Sequence, residues 1–439
     1  MVRSRRYLEE ELTRVTPNSR SQWERGKQSM PGGVIKGAYW SPPHPIYMDR
    51  AEGCHMWDLD GREYLDFEGH HTAMILGHNP KQIVDAVTNE LGKGFGFGAP
   101  TSLEAEIAEE IISRVPSIEK IRFANSGTEA SLHVTRLMRS VTGRHKIAKF
   151  EGAYHGSHDA LEVSTAPALD RVGPIESPKS VAAQDGMSRV SEEDVVVIPY
   201  NRPEYMEKIL RQHRDELAGV FYDPKAGIYD IPYDFARSVR SVTKDLDLLL
   251  VMDEIVSFRA GFSGYQCVSG VKPDLTVYGK IFGGGFPVGV IGGRADLMDL
   301  FDSSLETNKL GQSGTFSGNA FTLTAGLATL RCLTPEVYEH LNLLRSALHE
   351  GLVNVFNSAE IPCCVVSEGA LLNLYITDQE VHDYREQSLV DKELFDRIGL
   401  ELLLNGYYGW GGLGLSLSLP MKLSHIDEFL DTMSSILSR

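Results

Sequence analysis

Cysteine is scarce in this sequence. Five residues in 439 (Cys54, Cys267, Cys332, Cys363 and Cys364) are too few and too scattered for a disulfide framework, and none forms a Cys-x-x-Cys pair for zinc. A reducing cytoplasm is therefore the expected compartment, and no metal ion is expected. Long apolar runs are also missing. Val195 to Ile198 and Leu248 to Met252 fall far short of the roughly 20 residues of a membrane span, so no membrane segment is expected. Positive charge is in deficit: 43 Lys and Arg against 60 Asp and Glu leave a net charge of -17, a field that repels phosphate backbones and argues against a nucleic-acid partner. The N-terminal stretch MVRSRRYLEEEL turns acidic where a secretory signal needs an apolar core, so no signal peptide is expected.

What is present is an ordinary globular composition, 42% hydrophobic and 23% charged. From about residue 80 to 330, helical patterns alternate with short apolar runs, the mark of βαβ units and a mostly parallel sheet with helices on both faces. Asn79-Pro80 opens a helix carrying Ile83, Val87 and Leu91, and Thr101-x-x-Glu104 reads as a capping box. The runs Ile147 to Phe150, Val195 to Ile198, Val220 to Tyr222, Leu248 to Met252, Leu275 to Tyr278 and Val288 to Ile291 have the length of strands buried on both faces. Near the N-terminus, a Pro-Gly turn follows a helix, and two strands pair around Asp60-Gly61. Beyond residue 335, helical segments flank strand candidates at Leu371 to Ile376 and Leu413 to Leu419. The expected architecture is an α/β large domain over 76–332, with a smaller α+β domain built from 1–75 and 333–439.

In open parallel sheets, ligands bind beyond the carboxyl ends of the strands, so polar residues directly after apolar runs carry the chemistry. Ser126-Gly127-Thr128 follows Ile121 to Phe123 and leads into a helix; hydroxyls and free N–H groups at a positive dipole end suit a phosphate. Asp253, with Glu254, follows Leu248 to Met252 and needs a cationic partner to stay ionised. Lys280 follows Leu275 to Tyr278 and precedes a glycine cluster; a lysine in apolar surroundings has a lowered pKa and can form a Schiff base. Tyr154-His155, after Ile147 to Phe150, offers an aromatic face and an imidazole to cover a flat ring. Taken singly, each has an ordinary structural explanation. Together they are the parts a pyridoxal 5'-phosphate site requires. His155 and His158 have helix-like metal spacing but no third ligand in view.

These motifs, Ser126-Gly127-Thr128-Glu129-Ala130, Tyr154-His155-Gly156, Asp253-Glu254, Gly279-Lys280 and Gly314-Thr315-Phe316-Ser317-Gly318-Asn319, occur in one order over nearly the whole chain. In them the chain resembles the class III pyridoxal phosphate-dependent aminotransferases, in the group of glutamate-1-semialdehyde aminomutase and the β-amino acid aminotransferases. The resemblance implies fold type I and a homodimer with active sites at the interface. It implies Lys280 as the catalytic Schiff-base lysine, Asp253 on the pyridine nitrogen, and Tyr154, with His155 beside it, and Ile255 on the two faces of the ring. Ser126, Gly127 and Thr128 would hold the phosphate, and Thr315 would reach that of the neighbouring subunit. The implied reaction is a ping-pong transfer of an amino group from an amino donor to a 2-oxo acid.

Substrate positions depart from both relatives. Lys36 stands where the β-amino acid enzymes carry an arginine after the Pro-Gly turn, and a second arginine position falls at about Gly412. The glutamate of the aminomutases has no counterpart in Tyr407 to Leu419. Tyr39, Trp40 and the segment Tyr407 to Trp410 suggest an apolar side pocket suited to a β-amino acid or bulky amine. An aminotransferase is the expectation, with the aminomutase, or a lyase or decarboxylase on the same fold, as the alternatives.

Overall fold

The computed structural model describes residues 3–306, 310–410 and 414–438. The chain divides into a larger unit, Gln82–Tyr338 with Val381–Leu389, and a smaller one, Met1–Lys81 with Glu339–Glu380 and Val390–Arg439. Gly412 and Leu413, named above, lie outside the described residues.

The larger unit is built on a seven-stranded sheet in the order Lys120–Ala124, Gly289–Gly293, Leu275–Gly279, Leu249–Asp253, Leu217–Tyr222, Lys146–Phe150, Val195–Ile198. Gly289–Gly293 runs antiparallel to both neighbours and every other pairing across the next five strands is parallel. The apolar runs without alternation became strands buried at every residue, as in Val195–Ile198, Leu217–Tyr222 and Leu275–Gly279. Helix Gly127–Thr142 turns Ala130, Val134, Leu137 and Met138 onto this sheet, against Ile147, Phe221, Val251, Val277 and Ile291.

The helix expected from Asn79-Pro80 begins at Lys81, because Asn79 takes a left-handed φ of 48° and its side chain donates to Ala51 O instead of capping. Ile83 is buried, but Leu91 at the helix end is exposed. At the next helix, Glu104 Oε1 accepts the Thr101 N–H at 3.1 Å, which is the carboxylate half of the expected capping box.

In the smaller unit, His55–Asp58 and Glu63–Asp66 pair antiparallel, and Tyr407–Tyr408 joins Glu63–Asp66 in parallel, so both ends of the chain share one sheet. The expected strand at 413–419 is reduced to Leu415–Ser416, paired with Leu371–Tyr375. The segment 381–389, read from sequence as part of the small domain, groups with the larger unit. Polar anchors explain it: Arg385 Nε and Nη2 fork onto Glu151 at 2.7 and 3.0 Å, Asn201 Nδ2 donates to His382 O at 2.8 Å, and Tyr384 OH donates to Pro167 O at 2.7 Å. Such bonds leave no hydrophobic period to read.

Candidate active site

Four adjoining loops of the larger unit leave its sheet at the carboxyl ends of strands, where open α/β sheets bind ligands. The first follows Lys120–Ala124. Ser126 is extended, its Oγ accepts the Glu129 N–H at 3.1 Å, and helix Gly127–Thr142 begins. Glu129 returns the bond by accepting from Asn125 N at 2.8 Å. The first-turn N–H groups of Gly127 and Thr128 are among those a helix leaves without intrahelical acceptors. The turn is also crowded: a Cβ on Gly127 would lie 2.4 Å from Ile255 Cδ1, and one on Gly156, at φ 105°, would lie 2.6 Å from Thr128 Cα. Glycine is required at Gly156, while a side chain at Gly127 would have to displace the Ile255 methyl. Thr128 Oγ1 accepts the Ser157 N–H at 3.3 Å, which ties this turn to the loop carrying Tyr154 and His155.

Asp253 ends its strand almost fully buried. Its Oδ1 accepts the Ile255 N–H at 3.1 Å, and its Oδ2 lies 2.7 Å from His155 Nδ1. Burial pushes the Asp253 carboxyl up and the His155 imidazole down, while the nearby charges of Lys280 and Lys225 pull the carboxyl back. The 2.7 Å contact is a hydrogen bond between the carboxyl and the ring nitrogen of a neutral His155. His155, expected from the sequence beside Tyr154 at the ring, is buried and bonded to the carboxyl, a position that orients it. Tyr154 next to it is half exposed and available to stack on a flat ligand. His158 Nε2 is 3.0 Å from Ser131 Oγ, so each histidine of the apparent metal spacing has a protein partner.

Lys280 follows Leu275–Gly279, the strand beside Asp253, and is half-buried. It sits at φ 50°, a left-handed conformation that costs a non-glycine residue about 1–2 kcal/mol. Strain of this kind persists where surrounding structure over-determines it, and it clusters at reactive sites. Thr315 is exposed, in a loop pinned to the first turn by a bond from Asn125 Nδ2 to Ser317 Oγ at 3.2 Å.

Two buried lysines escape a reading of the sequence. Lys225 follows strand Leu217–Tyr222, pairs with Asp223 at 3.1 Å and adds positive charge near Asp253; the rule that finds the other loops would find it too. Lys149, fully buried within its strand, donates to Ala153 O at 2.7 Å, Leu161 O at 3.1 Å and Val163 O at 2.5 Å, and so gathers the loop that presents Tyr154 and His155. Glu254, beside Asp253 in the chain, is fully buried and accepts the N–H groups of Tyr265 and Gln266 at 3.0 and 2.9 Å, so it anchors the following turn.

Lys36, Tyr39 and Trp40, the expected substrate residues, belong to the smaller unit and are exposed. Lys36 Nζ lies 4.2 Å over the Tyr39 ring, Tyr39 stacks on His71 with centroids 6.1 Å apart, and Trp40 packs on Trp23 at 5.2 Å. His70, His71 and Thr72 are all left-handed, at φ 50°, 53° and 72°, and Glu68 Oε1 holds the His71 N–H at 2.8 Å. A cavity of 540 Å³ in this unit is lined by Met30, Met48, Met56 and Met74, with Glu68, His70 and His78 among its polar groups.

The strand-end loops fit a phosphorylated, flat, nitrogen-bearing ring: a capped helix start for the anion, a buried carboxylate for a protonated ring nitrogen, and a lysine amine between them in the sheet order. The class-III aminotransferase family model matches residues 37–437. Glutamate-1-semialdehyde 2,1-aminomutase 2 of Staphylococcus haemolyticus is 37% identical over 386 residues, which is 86% of this chain and 88% of that protein. The structure of an omega-transaminase from Sphaerobacter thermophilus superposes with a TM-score of 0.92 at 37% identity, over 96% of this chain and 97% of that one. A β-phenylalanine aminotransferase from Variovorax paradoxus gives 0.87 at 30% identity, over 98% and 96%. The chain belongs to the class-III aminotransferases, and it is a pyridoxal phosphate-dependent enzyme of fold type I.

Proposed function

We propose that this enzyme moves an amino group from a β-amino acid or amine to a 2-oxo acid, with Lys280 as the catalytic lysine. The observation that carries the reading is the grouping of Ser126, Asp253 with His155, and a strained Lys280 at the carboxyl ends of one sheet. Pyridoxal phosphate, when bound, supplies an aldehyde for the amine and a ring that takes up the electrons of the bond broken beside it. Ser126, Gly127 and Thr128 bind the phosphate with hydroxyls and first-turn N–H groups. Asp253 would hold a proton on the ring nitrogen, with His155 orienting the carboxyl and Lys280 and Lys225 favouring its ionised form. Tyr154 and Ile255 pack against the ring faces. Lys280 would hold the cofactor through Nζ and, when that amine is free, would take and return a proton there.

In the same proposal the enzyme is a cytoplasmic homodimer, and Thr315 reaches the phosphate held by the neighbouring subunit. The exposure of Thr315 supports the second part. Among the described residues, no helix is long and apolar enough to cross a membrane. Lys36 receives the donor carboxylate, while Tyr39 and Trp40 contact its side chain. An apolar donor is supported by the methionine-lined cavity and by a second one of 580 Å³ lined by Tyr39, Phe395, Tyr407, Tyr408 and Trp410. The relative named as an aminomutase favours a second reading, 2,1-aminomutase activity on glutamate-1-semialdehyde. Against it stands the lack of a glutamate in Tyr407 to Leu419.

The test is the visible spectrum of the holoenzyme with a β-amino acid, an aryl amine and a diamino acid added in turn. The proposal expects one of the first two to bleach the band and a 2-oxo acid to restore it. Response to the diamino acid alone would replace it by the aminomutase, and bleaching that no 2-oxo acid reverses would replace it by a lyase or decarboxylase.

A further inference from the structure

Within the smaller unit, Cys54, His55 and His425 each bring one donor atom within 4.8 Å of the others. Cys54 is buried in the turn between strands Met48–Glu52 and His55–Asp58, and His425 stands in the first turn of helix Leu423–Leu437. The separation of Cys54 Sγ from His425 Nδ1 is 3.7 Å. Two ligands of a tetrahedral zinc ion, with bonds of about 2.3 Å to sulfur and about 2.05 Å to nitrogen, stand about 3.6 Å apart. His55 Nδ1 is buried and makes no hydrogen bond, although Glu63 Oε1 lies 3.0 Å away. The two atoms form an ion pair when His55 is protonated, and their 3.0 Å separation also lets both reach one cation.

We infer that Cys54, His55 and His425 form a Zn²⁺ site, with Glu63 closing the fourth position. One thiolate and two imidazoles select a borderline-soft ion over Mg²⁺ or Ca²⁺. Binding exchanges the Cys54 S–H proton for the metal and releases it to solvent, with no change of oxidation state. The thiolate and Glu63 then neutralise the ion, Asp66 adds negative charge nearby, and Lys422 acts on Cys54 with the opposite sign. His425 Nδ1 also accepts the exposed Lys422 N–H at 3.2 Å; water takes over that first-turn amide when the metal takes the lone pair. The ion would staple the N-terminal hairpin to the C-terminal helix, 371 residues apart in sequence. This site is independent of the proposed transamination.

The experiment uses the full-length holoenzyme with Cys267→Ser, which removes the exposed thiol. Zn²⁺ is titrated calorimetrically and Co²⁺ by absorption. The expected result is one equivalent bound, a raised melting midpoint with Zn²⁺, and a thiolate-to-cobalt charge-transfer band that Cys54→Ser abolishes. His425→Gln and Glu63→Gln should each weaken Zn²⁺ binding about tenfold or more. Absence of binding would overturn the site, and so would binding or a cobalt band that Cys54→Ser leaves unchanged. If Cys54→Ser does not fold, unchanged Zn²⁺ affinity in His425→Gln overturns it equally.

Discussion

Two lysines of the larger unit show how one side chain serves opposite ends. Lys149 lies inside a strand, fully buried, in relaxed backbone, its ammonium spent on three carbonyls of one loop. Lys280 lies one residue past a strand, half-buried, in strained backbone, with its charge acting on Asp253. Burial takes Lys149 from an ordinary 10.5 to about 7. A lowered pKa alone therefore does not mark a lysine as reactive. Position relative to the strand end does: a group within the sheet cannot meet a ligand, and one just beyond it can.

The largest expected effect that sharpens this contrast is on turnover. Lys280→Ala should lower kcat by about 10³-fold or more while the cofactor-free protein melts as the parent does. Asp253→Asn keeps the shape and loses the charge, and should lower kcat by about 10²-fold or more, read in the same assay. Lys149→Met should act on stability first. It strands Ala153 O, Leu161 O and Val163 O, at a cost of about 2–4 kcal/mol in denaturant unfolding. Equal losses of turnover in Lys149→Met and Lys280→Ala, with folding intact in both, would erase the distinction.

The pH dependence separates the two lysines more finely. Between about 7 and 10.5 the unfolded chain holds a proton that folded Lys149 has shed, so stability should rise with pH across that window. Lys149→Met should lose the rise. Asp253 and Glu254, both raised by burial to about 7, titrate below the window with the opposite sign, since the folded form then holds the extra proton. The smallest effect expected is Lys280→Gly, which relieves the left-handed backbone and should stabilise the cofactor-free protein by up to about 1 kcal/mol.

The sheet is legible in the sequence because its strands are short, unbroken apolar runs; Val195 to Ile198 is a strand with unchanged ends. Asp253 and Lys280 are legible for the same reason, as polar residues directly after such runs. Lys149 is harder to read, although a lysine inside the run KIAKF that must be buried on both faces is itself a signal. The true place of His155 has no local trace, since only the fold brings it to Asp253, 98 residues on. The return of 381–389 to the larger unit rests on side-chain bonds such as Arg385 to Glu151, which have no periodicity. Cys54 and His425 are far apart in sequence, so their juxtaposition is equally invisible there.

The role of Lys280 is tested by reducing the holoenzyme with borohydride, digesting it and locating the cofactor mass by peptide mapping. The label should appear on the peptide containing Lys280 and on no other. Label on Lys225 or Lys149, or a protein that retains none, would contradict that role.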